Sequence, residues 1–320
     1  MKKVVIIGGG VLGTQIGLIS AYWGKDVTFW LRSEGSIGRT QPKIERYSSL
    51  ILNDLKTAKN LLGDANGAAK YPHGLIKDWK GLTEEKLDEL IAQSEKNLKE
   101  KVHIELDMKK ALQDADLVIE SMAENVEAKK AVYESMKDLL QENTILATNS
   151  STLLPSMFAE YTGCPERYLA LHFANNIWRN NTAEVMGHPG TSQEAYDAVV
   201  EFAGEIGMVP LQLHKEQPGY ILNSMLVPLL SAAQALWAKG VADPETIDKT
   251  WEIGTSAPMG PFKILDVVGL ETAYNINLMK PETKVEGSVN YEISRLLKEK
   301  IDRGETGVNA GKGFYDYTKK

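Results

Sequence analysis

The sequence predicts an α/β protein: a doubly wound, mainly parallel sheet with a helical arm over residues 1–214, then an all-helical domain over 215–320. Three observations carry this reading. Short apolar runs alternate with helical patterns through the first two thirds of the chain, the signature of parallel strands joined by crossover helices. The first run leads straight into a glycine-rich turn and a helix. Beyond "HKEQPG" the strand pattern stops and only helical spacing follows.

The elements come in order. "KKVVIIGGGVLGTQIGLISAYWG" reads as a buried strand, a glycine turn and a helix, and "DVTFWL" as the second strand. Residues 40–101 are polar and helix-rich, with "GLTEEKLDELIAQSEKNLKEK" the clearest amphipathic run. Thr83 stands at its N-cap, with Glu84 and Glu85 in the first turn. That segment is long for a crossover between neighbouring strands, so a projecting helical arm is expected. "DADLVIES", "TILATNSS", "YLALHFA" and "MVPLQLH" supply further strands, and "YILNSMLVPLLSAAQALWAKG" opens the helical domain.

Composition limits the function classes. A net charge of −7 argues against a general nucleic-acid binder and against an anionic membrane surface. The apolar run from Met225 is too short to span a bilayer and contains Pro228 and Gln234. Only Val4, Val5, Ile6 and Ile7 precede the glycines, too few for a signal peptide. The lone Cys164 rules out an internal disulfide and fits a reducing cytoplasm. It has no CxxC partner and no histidine at ligand spacing, so no metal site is expected.

Gly8, Gly10 and Gly13 form G-x-G-x-x-G between a strand and a helix, the mark of a Rossmann-type dinucleotide site. Val11, Leu12 and Gly13 then offer helix N-terminal N–H groups to a pyrophosphate. At the end of the second strand a carboxylate usually holds the adenosine ribose. Leu31 stands there instead, followed by Arg32 and Ser33, a cation and a hydroxyl suited to a 2′-phosphate. NADP is therefore expected, with NAD the alternative and Arg32 as a solvated loop charge the bland reading.

"NSST" from Asn149 ends a buried strand, at the sheet edge where ligands bind in such folds. His172 ends the next strand, with Glu184 twelve residues on. A histidine oriented by a carboxylate is an acid–base pair for an alcohol proton; spacing alone equally allows a packed histidine. His188 and His214 have no carboxylate at useful spacing and read as structural.

These residues match a family. The chain resembles the L-3-hydroxyacyl-CoA dehydrogenases, including the short 3-hydroxybutyryl-CoA dehydrogenases, through "IIGGGVLG", "DADLVIESMAEN", "ATNSSTL", "LHFANN…AEV", "TSQEAYDAVVEFA", "PGYILNSMLVP", "APMGPFKILDVVGL" and "GKGFYDY". The resemblance implies that His172 is the catalytic histidine and Glu184 its partner. It gives Ser151 contact with the substrate hydroxyl and makes Asn223 the asparagine opening the second domain. Glu124 and Lys129 become cofactor contacts beside Asn149. The implied reaction links a short-chain 3-hydroxyacyl-CoA to its 3-keto form, with acetoacetyl-CoA reduction the leading case. Ala174, Asn176 and Ser224 depart from the family pattern, as does the length of the crossover where coenzyme A is gripped.

Two other readings stand beside it. One is a dehydrogenase of a free hydroxy acid of the L-gulonate or carnitine type, with Arg179 holding the carboxylate. The other is a nucleotide-binding protein without turnover. "MLVPLLSAAQALW" and "GPFKILDVVGL" carry more apolar surface than a small helical core uses, which points to a homodimer through residues 215–320.

Overall fold

The computed structural model describes residues 1–64 and 66–318. The chain divides into two compact units, Met1–Ile221 and Leu222–Lys320. The division falls after Ile221 rather than after His214, because Tyr220 is buried within the first unit and the Ile221 N–H bonds Glu184 there.

The first unit is built on one sheet. Its strands are β1 Lys3–Ile7, β2 Asp26–Trp30, β3 Val102–Glu105, β4 Leu117–Glu120, β5 Ile145–Thr148, β6 Tyr168–Phe173, β7 Thr182–Gly187 and β8 Val209–Leu213. They lie in the order β3-β2-β1-β4-β5-β6-β7-β8. All pairs are parallel except β6 with β7. The Rossmann-type, doubly wound expectation holds. Strand order reverses on either side of β1, which puts the ligand crevice at the carboxyl ends of β1 and β4.

Two strands fall outside the sequence reading. In β3, "VHIE", every position keeps some exposure, so no apolar run marks it. β7, "TAEVMG", carries Glu184 in its middle and was legible only as the neighbourhood of that residue.

The helices of this unit are α1 Val11–Tyr22, α2 Glu34–Lys59, α3 Gly67–Lys70, α4 Glu84–Glu100, α5 Met108–Leu112, α6 Val126–Met136 and α7 Gln193–Glu205. The helical arm is the α2–α4 segment, and it is anchored. Ile44, Tyr47, Ile51 and Leu55 of α2, with Leu87 and Leu98 of α4, join the same buried core as α1 and β2. Their spacing along α2 is that of one helical face. Asn97 Nδ2 donates to the Tyr22 carbonyl at 3.0 Å, and Tyr22 OH to the Leu75 carbonyl at 2.6 Å. Thr83 caps α4 as expected, accepting from Lys86 N at 3.3 Å.

The second unit holds α8 Leu222–Ala238, α9 Pro244–Thr255, α10 Pro261–Val268, α11 Leu270–Leu278 and α12 Val289–Asp302. Its core gathers Leu230, Phe262, Leu265, Leu270, Ile293 and Leu297. Two buried carboxylates lock the C-terminal segment. Asp248 accepts from Phe262 N, Lys263 N and Tyr315 OH, and Asp266 from Phe314 N, Tyr315 N and Tyr317 OH. Among the described residues, no helix is long and apolar enough to cross a membrane.

Candidate active site

The glycine turn fits a dinucleotide. Gly8 has φ +111°, a backbone region that side chains rarely adopt, and a Cβ there would lie 2.8 Å from the Ser121 carbonyl oxygen. A Cβ on Gly13 would lie 2.9 Å from the Gly8 oxygen, so helix and strand meet closely only with glycine. Gly10 is exposed and extended at the N-cap of α1, with no side-chain cap and no acidic residue in the first turn. The N–H groups of Val11, Leu12 and Gly13 are thus left for an anion.

Thr40 of α2 lies on this turn, its Oγ1 3.3 Å from the Gly9 carbonyl oxygen. That places the start of α2 beside the glycine turn. Leu31 is buried at 2% exposure, so the end of β2 presents no side-chain acceptor. Arg32 is exposed and makes no ion pair among the described residues. Ser33 Oγ lies 3.1 Å from Ser36 Oγ, and Arg39 Nη2 donates to Ser36 Oγ at 3.0 Å. Two guanidiniums and two hydroxyls thereby share one helix N-terminus.

Behind β4 lies a buried polar network. Glu120 and Lys129 are both 0% exposed. The Glu120 carboxylate accepts from Lys129 Nζ at 2.7 and 2.8 Å, Tyr133 OH at 2.8 Å, Thr148 Oγ1 at 2.8 Å and Met122 N at 2.6 Å. The Lys129 ammonium, expected at the cofactor, is paired with the Glu120 carboxylate in the buried interior.

Glu124 does reach the strand-end loop. It accepts from Ser150 Oγ at 2.8 Å and from Ser151 N at 2.7 Å. Asn149 bridges neighbouring strands, its Oδ1 accepting from Phe173 N at 3.2 Å and its Nδ2 lying 3.4 Å from Ser121 Oγ. Asn149, Ser151 and Glu124 therefore form one connected rim at the carboxyl ends of β4 and β5.

His172 and Glu184 face each other across the antiparallel β6–β7 pair, and this register explains their spacing in sequence. Both are buried, at 5% and 3% exposure. His172 Nδ1 lies 3.0 Å from Glu184 Oε2, and Glu184 Oε1 accepts from the Ile221 N–H at 2.8 Å. A carboxylate on Nδ1 assigns the proton there and leaves Nε2 as the free base. On one face of the imidazole lies the Tyr220 ring, stacked at 4.3 Å with 12° between planes. Tyr220 OH donates to the Ser150 carbonyl at 2.7 Å. Burial, with Glu124 and Glu184 nearby, pushes the Tyr220 phenol far above its ordinary range, so it stays a neutral donor.

The loop between β6 and β7 is held from two sides. Asp54 of α2, nearly buried, accepts from Arg179 Nε at 3.0 Å, Arg179 Nη2 at 2.6 Å and Trp178 Nε1 at 2.8 Å. Gln15 Oε1 of α1 accepts from Ile177 N at 3.3 Å. His188 is structural as expected, with Nε2 on the Pro165 carbonyl and Nδ1 accepting from Gly190 N. His214 is exposed at the end of β8. Asn223 belongs to the second unit, in the first turn of α8. No cluster among the described residues is arranged to hold a metal. Sequence reasoning gave no role to Glu120, Tyr133 or Tyr220; a Glu, a Lys and a Tyr at spacings 120, 129 and 133 were the only available hint of the first two.

Comparisons with known proteins follow the same line. The profile described as 3-hydroxyacyl-CoA dehydrogenase, NAD binding domain, matches residues 60–217, and that of the family's C-terminal domain matches 219–317. The first match begins beyond the glycine turn, whose assignment rests on its own geometry. The human mitochondrial hydroxyacyl-coenzyme A dehydrogenase is 30% identical over 99% of this chain and 91% of that one. The 3-hydroxybutyryl-CoA dehydrogenase of Clostridioides difficile is 28% identical over 99% of this chain and all of its own. A solved diketoreductase, described by its dual catalysis of dicarbonyl compounds, is 42% identical with a TM-score of 0.81, covering 99% of both chains. The chain belongs to the 3-hydroxyacyl-CoA dehydrogenase family, as an oxidoreductase with a nicotinamide-binding domain.

Proposed function

We propose that the protein interconverts a short-chain (S)-3-hydroxyacyl-CoA and its 3-ketoacyl-CoA, with acetoacetyl-CoA the leading substrate and NADP(H) the preferred cofactor. The observation that carries this is the buried His172–Glu184 pair with Nε2 left free. In the oxidative direction Nε2 takes the 3-hydroxyl proton, and the Glu184 carboxylate stabilises the imidazolium that results. In reduction Nε2 returns that proton to the carbonyl oxygen. A bound nicotinamide supplies or accepts the hydride. Ser151 is proposed to hold the reacting oxygen, and for Asn223 a substrate contact rests on the family resemblance alone. The Val11–Gly13 N–H groups would hold the pyrophosphate, with Glu124 and Asn149 on the nicotinamide side.

NADP preference rests on Arg32, Ser33 and Arg39 at the start of α2, where no carboxylate ends β2. One charge-assisted Arg–phosphate contact is worth about 1.5–3 kcal/mol, or roughly 10–100-fold in kcat/KM for NADPH over NADH. NAD remains the cofactor if that ratio is one or less.

A second reading is reduction of CoA-free dicarbonyl compounds. The 42% identity to a diketoreductase favours it, and so do Ala174, Asn176 and Ser224. The free hydroxy-acid reading loses its anchor, since the Arg179 fork is engaged by Asp54. The paired His172 and Glu184 argue against a silent protein. Nicotinamide absorbance with acetoacetyl-CoA, free acetoacetate and a 3,5-diketoester separates these cases. The CoA reading requires acetoacetyl-CoA to have the highest kcat/KM, because the remote carrier contributes binding energy at the transition state. His172→Ala should lose about 10²–10⁴-fold in kcat with cofactor affinity intact.

We place the enzyme in the cytoplasm as a homodimer joined through the helical unit. Met225 and Met279 there are 64% and 82% exposed, and buried Gln234 Oε1 has no hydrogen-bond partner among the described residues. Light scattering at micromolar concentration tests this, and a monomer would overturn it.

A further inference from the structure

We propose that Tyr220 is a positioning residue that holds the plane of the His172 imidazole and the Ser150–Ser151 peptide in one setting. This rests on the reading of His172 as the acid–base group. Four observations converge on Tyr220. Its ring lies parallel to the imidazole at 4.3 Å. Its hydroxyl is tied to the Ser150 carbonyl at 2.7 Å, one residue before Ser151. It is 1% exposed. Its backbone sits at φ +54°, directly after Gly219 at φ +79°.

The last point decides between packing and positioning. A tyrosine with a left-handed backbone is strained, and such conformations persist only where surrounding contacts over-determine them. Simple core filling needs no such backbone. Here the unusual φ turns the ring back onto His172, while the next residue, Ile221, gives its N–H to Glu184 Oε1. One strained residue thus fixes the imidazole face and, through its neighbour, the carboxylate that fixes the imidazole edge. Glu184 alone leaves the ring free to tilt about its Nδ1 bond; the flat phenol face removes that freedom. When the imidazole is protonated, the same face also meets a cation, an arrangement favourable to it.

The test compares Tyr220→Phe with Tyr220→Leu. The phenylalanine keeps the face and loses the tether to Ser150. Its kcat should stay within about threefold, while KM for the carbonyl substrate rises as the Ser151 peptide loosens. The leucine removes the face, and kcat should fall about 10–100-fold with cofactor Kd unchanged, the scale expected of a misplaced catalytic group. The substrate is whichever carbonyl compound the unmodified protein reduces best. A second readout needs no substrate. With five histidines in the chain, ¹⁵N-labelled imidazoles can be assigned with a His172→Gln control. Glu184 sets the Nδ1-protonated tautomer, which should persist in all three proteins, while the His172 ring resonances should be single and sharp in the unmodified and phenylalanine proteins and exchange-broadened or doubled in the leucine variant. If no carbonyl substrate is turned over, the proposed function fails while the ring spectrum still tests Tyr220. A single sharp set of ring resonances in Tyr220→Leu, or broadening in Tyr220→Phe, overturns the inference. So does a phenylalanine variant as impaired in kcat as the leucine one.

Discussion

Replacing Glu184 by glutamine separates charge from shape at the centre of the site. Glu184 accepts from His172 Nδ1 at 3.0 Å through Oε2 and from Ile221 N at 2.8 Å through Oε1. A glutamine of the same outline has one acceptor oxygen and one NH₂ group, so it can serve only one of these donors. If its oxygen stays on Ile221, the NH₂ faces Nδ1 and drives the imidazole proton to Nε2, the atom proposed to take the substrate proton. If its oxygen turns to His172, the NH₂ opposes the Ile221 N–H, and the negative charge behind the imidazolium is gone. Either arrangement removes a buried charge-assisted hydrogen bond worth about 1.5–3 kcal/mol, which is roughly 10–100-fold in kcat. Cofactor affinity should not change, because the glycine turn lies on β1 and α1. Turnover followed by nicotinamide absorbance and cofactor Kd by fluorescence titration give the two numbers. A glutamine variant with unmodified kcat would refute the assignment of Glu184 as the partner of the acid–base group.

Three further outcomes follow from the structure. Lys129→Met leaves the Glu120 carboxylate buried without its cation and should cost about 3–5 kcal/mol in urea unfolding; adding Glu120→Gln should recover much of that loss, and additivity of the two would contradict the network. Arg32→Ala should reduce the NADPH preference chiefly by weakening NADPH binding, with NADH kinetics little changed; an unaltered ratio would make Arg32 a solvated charge. In the second unit, hydrogen bonds from Arg303, Lys312 and Lys300 hold the Glu305 carboxyl down to about 2. A carboxylate held below its unfolded value stabilises the fold above the ordinary carboxylate range, and the contribution is lost as pH falls from about 5 towards 2. Glu305→Gln should therefore flatten the fall in Tm across that window, and an equal slope in both proteins would count against the pairing.

The first β–α–β unit was legible because its signals are local. An apolar run, glycines at fixed offsets and a following helix all sit within two dozen residues, and the backbone obeys them. The Thr83 cap of α4 was legible for the same reason. What escaped is pairing across the chain. β3 has no apolar run to announce it, since it is an edge strand with exposure at every position. The bond between Arg179 and Asp54 joins residues 125 apart, and no pattern in either neighbourhood foretells it. Lys129 was assigned to the cofactor by resemblance alone; only the fold shows Glu120 lying under it. Tyr220 reads in the sequence as the first residue of the helical domain, whereas the fold stacks its ring on His172 in the first unit.

The end of β2 shows both sides of this limit. The sequence reads the end of β2 at Leu31, one residue beyond its last residue Trp30, and the absence of a carboxylate there is plain. It did not show that Leu31 turns inward, to 2% exposure. That direction changes which experiment is informative. An aspartate at 31 would be buried in the apolar core, where an unpaired carboxylate costs several kcal/mol, so Leu31→Asp confounds cofactor choice with loss of stability. The residue facing solvent is Arg32, at the mouth of the helix that begins with Ser33 and Glu34. Cofactor discrimination therefore has to be sought two residues after Trp30, where a side chain can change without disturbing the sheet beneath it.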